Sequence, residues 1–324
     1  MEPINQSEHL VDPEIRGIIE AMGSMSLTSE NYLEVRRQMK AVFPLDVTER
    51  YDVEIENVWI DNLFDDSKIR LVITKPKNKT PHLNPLIYSV HGGGMIVGSP
   101  ELDNEKHAYL AHHYHFIGVS VDYRLAPEFS QPAQLHDCYS GIKWCIDNAK
   151  ELNIDIGKIA VAGESAGAGL AGGMALFIRD RQEFTIHHLR LSVPMLDDRS
   201  TTKEVHPFNG EYFFNDAINY FGWKSVLKQE PGTEGISEYY SPARAKTLKG
   251  LPSTYLCVGS IELFADETLD FAKRLMYDGV LTELHVYPGY HHLGLNVPDA
   301  FHSKKEADNS LNALLRALKI AKSK

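Results

Sequence analysis

The sequence predicts an α/β protein built on a mainly parallel central sheet with helices on both faces. Short apolar runs rich in β-branched residues recur along the 324-residue chain, and helix-like segments separate them, an alternation typical of such sheets. One of these runs, 159–162, leads into Gly163-Glu164-Ser165-Ala166-Gly167, and a helical segment of small residues follows. A serine is therefore expected on a turn between a strand and a helix.

The apolar runs predict seven strands, at 69–74, 86–90, 116–121, 159–162, 189–193, 254–258 and 283–287. Helices are expected at 168–178, at 266–277, where Asp278-Gly279 ends the pattern, and from about 301 to the C-terminus. Another helix is expected to begin at Pro132, because the fixed φ of proline suits a first helical turn. Its apolar positions recur at helical spacing at Leu135, Cys138, Ile142 and Cys145.

Two segments fall outside this alternation. Residues 1–47 precede the first expected strand and contain Ile15, Ile18, Ile19 and Met22, which suggest an amphipathic helix. Residues 197–240 form an aromatic-rich insertion after a strand, at the sheet edge where α/β proteins bind ligands. We therefore expect a catalytic core at 48–196 and 241–324, with 1–47 and 197–240 forming a helical cap over it.

The composition limits the partners of the protein. A formal net charge of −11 argues against nucleic acid and anionic membranes, since both attract basic surfaces. The first residues, Met1 to Glu8, are polar, and no run approaches the roughly 18 apolar residues of a membrane span. Cys138 and Cys145 are seven apart on one predicted helix, about 10 Å at 1.5 Å per residue, too far for a disulfide. A cytoplasmic protein is predicted.

The serine turn matches a nucleophile elbow. A nucleophile on so sharp a turn is forced toward positive φ, and side chains two residues before and after it would collide. Gly163 and Gly167 occupy those two positions. Upstream, His91-Gly92-Gly93-Gly94 follows the strand at 86–90 directly, and glycines let bare backbone N–H groups approach the oxyanion that forms in acyl transfer.

The remaining members of a triad are expected later in the chain, in the order acid and then histidine. Both His291 and His292 follow the last strand. The acid has three candidates: Glu262 lies just beyond a strand end, whereas Asp266 and Glu267 suit the first turn of the next helix.

With these motifs the chain closely resembles the hormone-sensitive-lipase-like family of α/β-hydrolase carboxylesterases. The resemblance runs from about 86 to 293 and includes Val121-Asp122-Tyr123-Arg124-Leu125-Ala126-Pro127-Glu128, which looks like the structural signature of that family. It implies the α/β-hydrolase fold, with Ser165 as nucleophile and His292 as general base. It also implies an oxyanion hole from the N–H groups of Gly93, Gly94 and Ala166, and a structural role for His91.

The chain departs from the family pattern at three places. Glu262 stands where the family commonly has aspartate, and we assign it as the acid over Asp266. The usual H-G-F reads His292-Leu293-Gly294, and the spacing from Pro288-Gly289 favours His292 over His291. Glu164, often aspartate in the family, is interpreted as a local hydrogen-bonding residue.

The predicted function is hydrolysis of short- to medium-chain acyl esters through an acyl-enzyme, with no metal or organic cofactor. The histidines at 112–115 and 187–188 lack ligand partners at metal-binding spacing. A non-catalytic receptor on the same fold, or an amidase, thioesterase or lactonase, is the alternative. The resemblance also suggests a homodimer through the edge strand at 283–287. The acyl pocket is expected to be apolar, lined by Met95, Ile96, Met195, Leu196 and Phe213.

Overall fold

The computed structural model describes residues 6–22, 26–42, 47–78 and 81–322, so parts of the predicted segment 1–47 lie outside the described residues. Within these ranges the strands form one eight-stranded sheet in the order β1-β2-β4-β3-β5-β6-β7-β8. The first two pairings, β1 with β2 and β2 with β4, are antiparallel, and the others are parallel. The strands are β1 Val53–Asp61, β2 Lys68–Pro76, β3 Asn84–Val90, β4 Ile117–Asp122, β5 Ile154–Glu164, β6 His188–Ser192, β7 Ser253–Gly259 and β8 Thr282–Tyr287.

All seven predicted strands are confirmed, and β1 is an eighth that the apolar runs did not predict. Its first four residues alternate apolar and charged, Asn57 interrupts the apolar positions, and only Val53 and Ile60 are fully buried. β1 pairs with β2 alone and forms one edge of the sheet, where one face meets solvent. A half-exposed edge strand needs no continuous apolar run, which explains why the pattern missed it.

Helices cover both faces of the sheet, as predicted. On β3, the Tyr88 hydroxyl donates to the carbonyl of Cys138 in the helix Ala133–Asp147, while the Ser89 hydroxyl lies 2.8 Å from His107 Nε2 in the helix Asn104–Tyr114, on the opposite face. The helix Asn104–Tyr114 was not predicted, because its sequence is polar and carries no strong apolar period, whereas the helix Tyr32–Val42 lies in the segment 1–47, where cap helices were expected. The helices are α1 Arg16–Met22, α2 Tyr32–Val42, α3 Asn104–Tyr114, α4 Ala133–Asp147, α5 Ala166–Arg181, α6 Asp216–Leu227, α7 Ala265–Tyr277 and α8 Phe301–Ala317.

The insertion and the N-terminal segment meet beyond the carboxyl ends of the parallel strands. The carboxylate of Glu211 in the insertion accepts hydrogen bonds from the amides of Gln6 and Ser7. The amide of Asp12 donates to the carbonyl of Gly289, at 3.1 Å, in the loop after β8. Both segments therefore pack over the edge of the sheet at which α/β folds place their ligands.

Two further sequence expectations concern the cysteines and the presence of membrane-spanning helices. Cys138, Cys145 and Cys257 are all buried free cysteines, and the absence of a disulfide between Cys138 and Cys145 agrees with the distance expected from their spacing. Across the described ranges, none of the helices combines the length and the apolar character that crossing a membrane requires.

Candidate active site

Ser165 lies on the turn between β5 and α5, with φ 54° and ψ −123°. This confirms the expected positive φ. A Cβ on Gly163 would lie 2.4 Å from the Gly167 carbonyl oxygen, and a Cβ on Gly167 would lie 2.1 Å from the Val90 carbonyl oxygen. The turn is fixed to the neighbouring strand β6, because the Ser165 amide donates to the carbonyl of Ser192 at 2.9 Å. Any side chain at either position would overlap backbone atoms, so both positions require glycine.

Replacing Gly167 by alanine is expected to destabilise the fold by about 3 kcal/mol and to abolish ester hydrolysis, because the methyl group overlaps backbone oxygens that cannot move independently. Gly172 on the same helix is the matched control: its Cβ would meet no atom closer than 3.4 Å. Gly172→Ala is expected to change the free energy of unfolding by less than about 1 kcal/mol, in the stabilising direction. Thermal unfolding of both variants checks this, and equal destabilisation of the two would contradict it.

Glu262, His292 and Ser165 form one chain of hydrogen bonds. His292 Nδ1 lies 2.7 Å from Glu262 Oε1, and His292 Nε2 lies 3.0 Å from Ser165 Oγ. An ionised carboxylate can only accept, so Nδ1 carries the proton and Nε2 is free to accept from the serine hydroxyl. All three side chains are nearly inaccessible, with Glu262 fully buried.

The other candidates for the acid and for the histidine do not take part in this chain of hydrogen bonds. Asp266 is exposed on α7. Glu267 accepts a hydrogen bond from the Leu196 amide at 2.6 Å, and burial raises the pKa of its carboxyl. His291 packs against the ring of Phe213, with 4.9 Å between centroids. Burial, followed by the neighbouring His292, lowers the pKa of His291 to about 4.

The H-G-G-G loop packs against the nucleophile. A Cβ on Gly92 would lie 3.3 Å from Ser165 Cβ. Three successive residues of the loop adopt left-handed backbone, with φ of 115° at Gly93, 63° at Gly94 and 62° at Met95. Ala166 is the first residue of α5, where amides have no partner within the helix. The loop that carries the Gly93 and Gly94 amides and the first turn of α5 therefore both lie beside Ser165.

His91 and the signature segment support this loop. His91 stacks on Tyr123 with 4.2 Å between ring centroids, and the Tyr123 hydroxyl donates to the His91 carbonyl at 2.8 Å. The ring of His91 is buried, and burial lowers its pKa. Glu164, beside the nucleophile, accepts a hydrogen bond from Asn296 at 3.4 Å.

The predicted pocket residues Met95, Ile96, Met195 and Leu196 are all fully buried, and Phe213 is buried against His291. The structure adds two aromatic residues that the sequence reasoning did not select. The Phe214 ring lies 4.8 Å from the ring of His292, the Phe264 ring lies 5.6 Å from it, and the two phenylalanine rings are 5.3 Å apart. Phe214 also approaches the H-G-G-G loop, 3.5 Å from where a Cβ of Gly94 would lie. Aromatic density alone could not separate Phe214 from its neighbours.

Of the histidines at 112–115 and 187–188, His112, His113 and His115 are exposed and only His188 is buried. His112 Nδ1 accepts a hydrogen bond from the Asp52 amide at 3.2 Å. His188 is buried with Nδ1 3.2 Å from Ser253 Oγ, and burial lowers its pKa to about 4. Among the residues that the structure describes, no three His, Cys, Asp or Glu side chains come together as a metal site.

A serine hydroxyl bonded to an imidazole, which is bonded in turn to a buried carboxylate, is the arrangement of serine hydrolases. Here the arrangement lies on an α/β fold, beside the glycine-rich H-G-G-G loop. The comparisons with known proteins agree with this class. A family model described as alpha/beta hydrolase fold matches residues 87–295. The chain belongs to this family, and within it to the hormone-sensitive-lipase-like carboxylesterases.

The relatives span nearly the whole chain. It is 30% identical to a carboxylesterase, NlhH, of Mycobacterium tuberculosis, covering 95% of this chain and 96% of the relative. It is also 30% identical to an arylesterase of Saccharolobus solfataricus, covering 84% and 88%. Among solved structures, a bacterial heroin esterase superposes with a TM-score of 0.86 at 29% identity, covering 96% of this chain and 98% of that one.

Proposed function

We propose that the protein hydrolyses short- to medium-chain acyl esters through an acyl-enzyme on Ser165. Its class, a carboxylic ester hydrolase of the serine type, follows from its family. The observation that carries the mechanism is the continuous chain of hydrogen bonds from Glu262 through His292 to Ser165, at 2.7 and 3.0 Å.

The reaction proceeds in two steps. Ser165 Oγ attacks the acyl carbonyl while His292 Nε2 takes its proton, and Glu262 stabilises the resulting imidazolium. The tetrahedral intermediate collapses when His292 returns the proton to the alkoxy leaving group, and the alcohol departs. Water then attacks the acyl-serine with His292 again as base, which releases the carboxylic acid and restores the serine.

The oxyanion is proposed to be bound by the amides of Gly93, Gly94 and Ala166. Each lies in the loop or helix start that packs directly against Ser165. Loss of one such donor costs about 3–4 kcal/mol of transition-state stabilisation, so these amides rank with the triad in importance.

The substrate is proposed to be an uncharged acyl group of limited length. Met95, Ile96, Met195, Leu196 and Phe213 supply apolar, buried surface and no charge to pair with a substrate carboxylate or ammonium. We assign 1–47 and 197–240 to a cap that closes this pocket above the core of 48–196 and 241–324. The approach of Phe214 to both His292 and Gly94 supports a cap in direct contact with the reacting groups.

The test is hydrolysis of p-nitrophenyl acetate, butyrate, octanoate and dodecanoate by the purified protein. We expect kcat/KM to be highest for acetate or butyrate and lowest for dodecanoate. A maximum at dodecanoate would contradict the proposed pocket. Matched amides, thioesters and lactones measured in parallel separate the esterase from its alternatives with the same chemistry, and binding of these ligands without turnover would indicate the receptor.

The chemistry needs no metal or organic cofactor, and we propose a cytoplasmic protein that binds neither nucleic acid nor membranes. We also propose a homodimer through β8. This strand is at the sheet edge, and Val286 on it and Leu281 beside it are exposed. Light scattering at micromolar concentration that gives the mass of one chain would contradict the dimer.

A further inference from the structure

The oxyanion loop, residues 91–96, has a strained backbone conformation that depends on contacts with other segments. Gly93, Gly94 and Met95 all lie in the left-handed region, with φ of 115°, 63° and 62°. Glycine tolerates this conformation, but Met95 has a Cβ and a long side chain. A residue of this kind in the left-handed region is strained and persists where the surroundings over-determine its conformation. The contacts that fix this loop therefore matter to the site.

Only some of the backbone hydrogen-bonding groups of the loop find partners within the loop itself. The Gly93 carbonyl accepts from the amides of Ile96 and Val97, at 3.0 and 2.9 Å, which closes a tight turn. The Met95 carbonyl bonds outside the loop, because it accepts from the amide of Ala126 at 2.9 Å. The next carbonyl, that of Ile96, also needs a donor from outside.

That donor is Arg36, on α2 of the N-terminal segment. Its Nε donates to the Ile96 carbonyl at 2.5 Å, and its Nη2 donates to the Ala126 carbonyl at 2.5 Å. The guanidinium thus joins the oxyanion loop to the segment that holds Met95. The side chain of Arg36 is 15% exposed, so these bonds compete little with water.

The geometry requires an arginine. The same guanidinium also donates to both carboxylate oxygens of Glu128, at 2.8 and 2.9 Å, and stacks 4.9 Å from the ring centroid of Tyr32. Burial raises the pKa of Glu128, but the hydrogen bond and charge of Arg36, together with hydrogen bonds from the backbone amide of Glu128 and the Tyr32 hydroxyl, lower it by more, so the net pKa is lowered and the carboxylate stays charged. A planar fork with five donors makes these contacts at once, whereas the compact ammonium of lysine does not.

We infer that Arg36 is a positioning residue for the oxyanion loop, which ties α2 to the carbonyls of Ile96 and Ala126 and so aims the amides of Gly93 and Gly94 at the site of the oxyanion. This inference rests on the proposed function, because only an acyl-transfer site uses those amides. Helix α2 then helps to position the groups that take part in the reaction. Arg36 contributes to catalysis although it belongs to no recognised catalytic motif.

The competing role for Arg36 is docking of α2 alone, through its ion pair with Glu128. A docking contact stabilises the fold and leaves the chemical step unchanged. A positioning contact changes the transition state, since a misplacement of about 1 Å costs about 100-fold in rate and loss of one oxyanion donor about 100- to 1000-fold in kcat. The two roles therefore differ in kcat and in the affinity for an oxyanion mimic.

The experiment compares Arg36→Met, Arg36→Lys and Glu128→Gln with wild type, using p-nitrophenyl butyrate and an alkyl trifluoromethyl ketone. Ser165 Oγ adds to the ketone carbonyl, its proton passes to His292, and the oxygen becomes an oxyanion. For Arg36→Met we expect kcat to fall about 10- to 100-fold with KM within about threefold, and the inhibition constant of the ketone to rise by the same factor as kcat falls.

Arg36→Lys is expected to lose less, and it carries the test if Arg36→Met does not fold. Glu128→Gln keeps both carbonyl contacts of Arg36, so its kcat is expected within about threefold of wild type. The matched control is Arg37→Met: Arg37 is the next residue of α2, its side chain is 75% exposed, and it pairs with Glu34. All constants are measured well below the unfolding midpoint of each variant.

Two outcomes would overturn the inference. One is an unchanged ketone inhibition constant in both Arg36 variants, which would leave only docking. The other is a loss in Glu128→Gln as large as in Arg36→Met, which would assign the effect to the ion pair. Failure of the proposed function is distinguishable, because wild type would then not hydrolyse the ester, or Ser165→Ala would remain active.

Discussion

Replacing Ser165 by alanine is expected to lower kcat for p-nitrophenyl butyrate by about 10⁶-fold, the loss typical of removing the nucleophile of a serine hydrolase. The methyl group cannot form the acyl-enzyme, and the hydroxyl lost is the one 3.0 Å from His292 Nε2. KM is expected to stay near the wild-type value, because the hydroxyl contributes little to ground-state binding. Steady-state kinetics with the purified variant gives both constants.

The control for this variant is Ser192→Ala. Ser192 is a buried serine at the end of the neighbouring strand, and its side chain contacts Cys257 Sγ at 3.3 Å. Its backbone carbonyl still accepts from the Ser165 amide after substitution. We expect full activity from this control. A Ser165→Ala protein that keeps more than about one per cent of wild-type kcat would place the nucleophile elsewhere.

His292→Ala is expected to lose about as much as Ser165→Ala, and the double variant no more than either, because the two groups act as one unit. Additive losses would mean that the serine and the histidine act in separate steps.

The sequence predicted the parts of the site whose chemistry demands particular residue types at fixed spacing. Gly163 and Gly167 are forced by backbone oxygens within 2.4 Å of where each Cβ would lie, so the elbow had to show in the sequence. The inner strands β3, β4, β6 and β7 are buried on both faces, so they had to be apolar runs, and each was found.

The structure was needed where many residue types satisfy the same requirement. β1 is a half-exposed edge strand, and its charged residues concealed it. Phe213 and Phe214 are adjacent aromatic residues, yet one packs on His291 and the other on His292. Arg36 contacts Glu128 from 92 residues away, and no local pattern encodes that distance.

The acid of the triad gives the second large effect. Glu262→Gln is expected to lower kcat by about 10⁴-fold, as loss of the charge does where the geometry is kept. The amide no longer accepts as a charged partner of His292 Nδ1, which lies 2.7 Å away, so it neither fixes the tautomer nor stabilises the imidazolium. Kinetics on p-nitrophenyl butyrate measure the loss, and circular dichroism verifies that the fold is retained.

Two variants sharpen this assignment. Asp266→Asn removes the rival carboxylate, which is exposed on α7 and lines a polar cleft of about 400 Å³, and we expect kcat within about twofold of wild type. Glu262→Asp withdraws the carboxylate by about 1.5 Å, one carbon–carbon bond, and we expect a loss of about 100-fold. Glu262 reaches His292 Nδ1 at 2.7 Å with its full side chain, so an aspartate on the same backbone falls short of it. Wild-type activity of Glu262→Asp would show a loop that adjusts freely, whereas a larger loss in Asp266→Asn than in Glu262→Gln would transfer the acid role to Asp266.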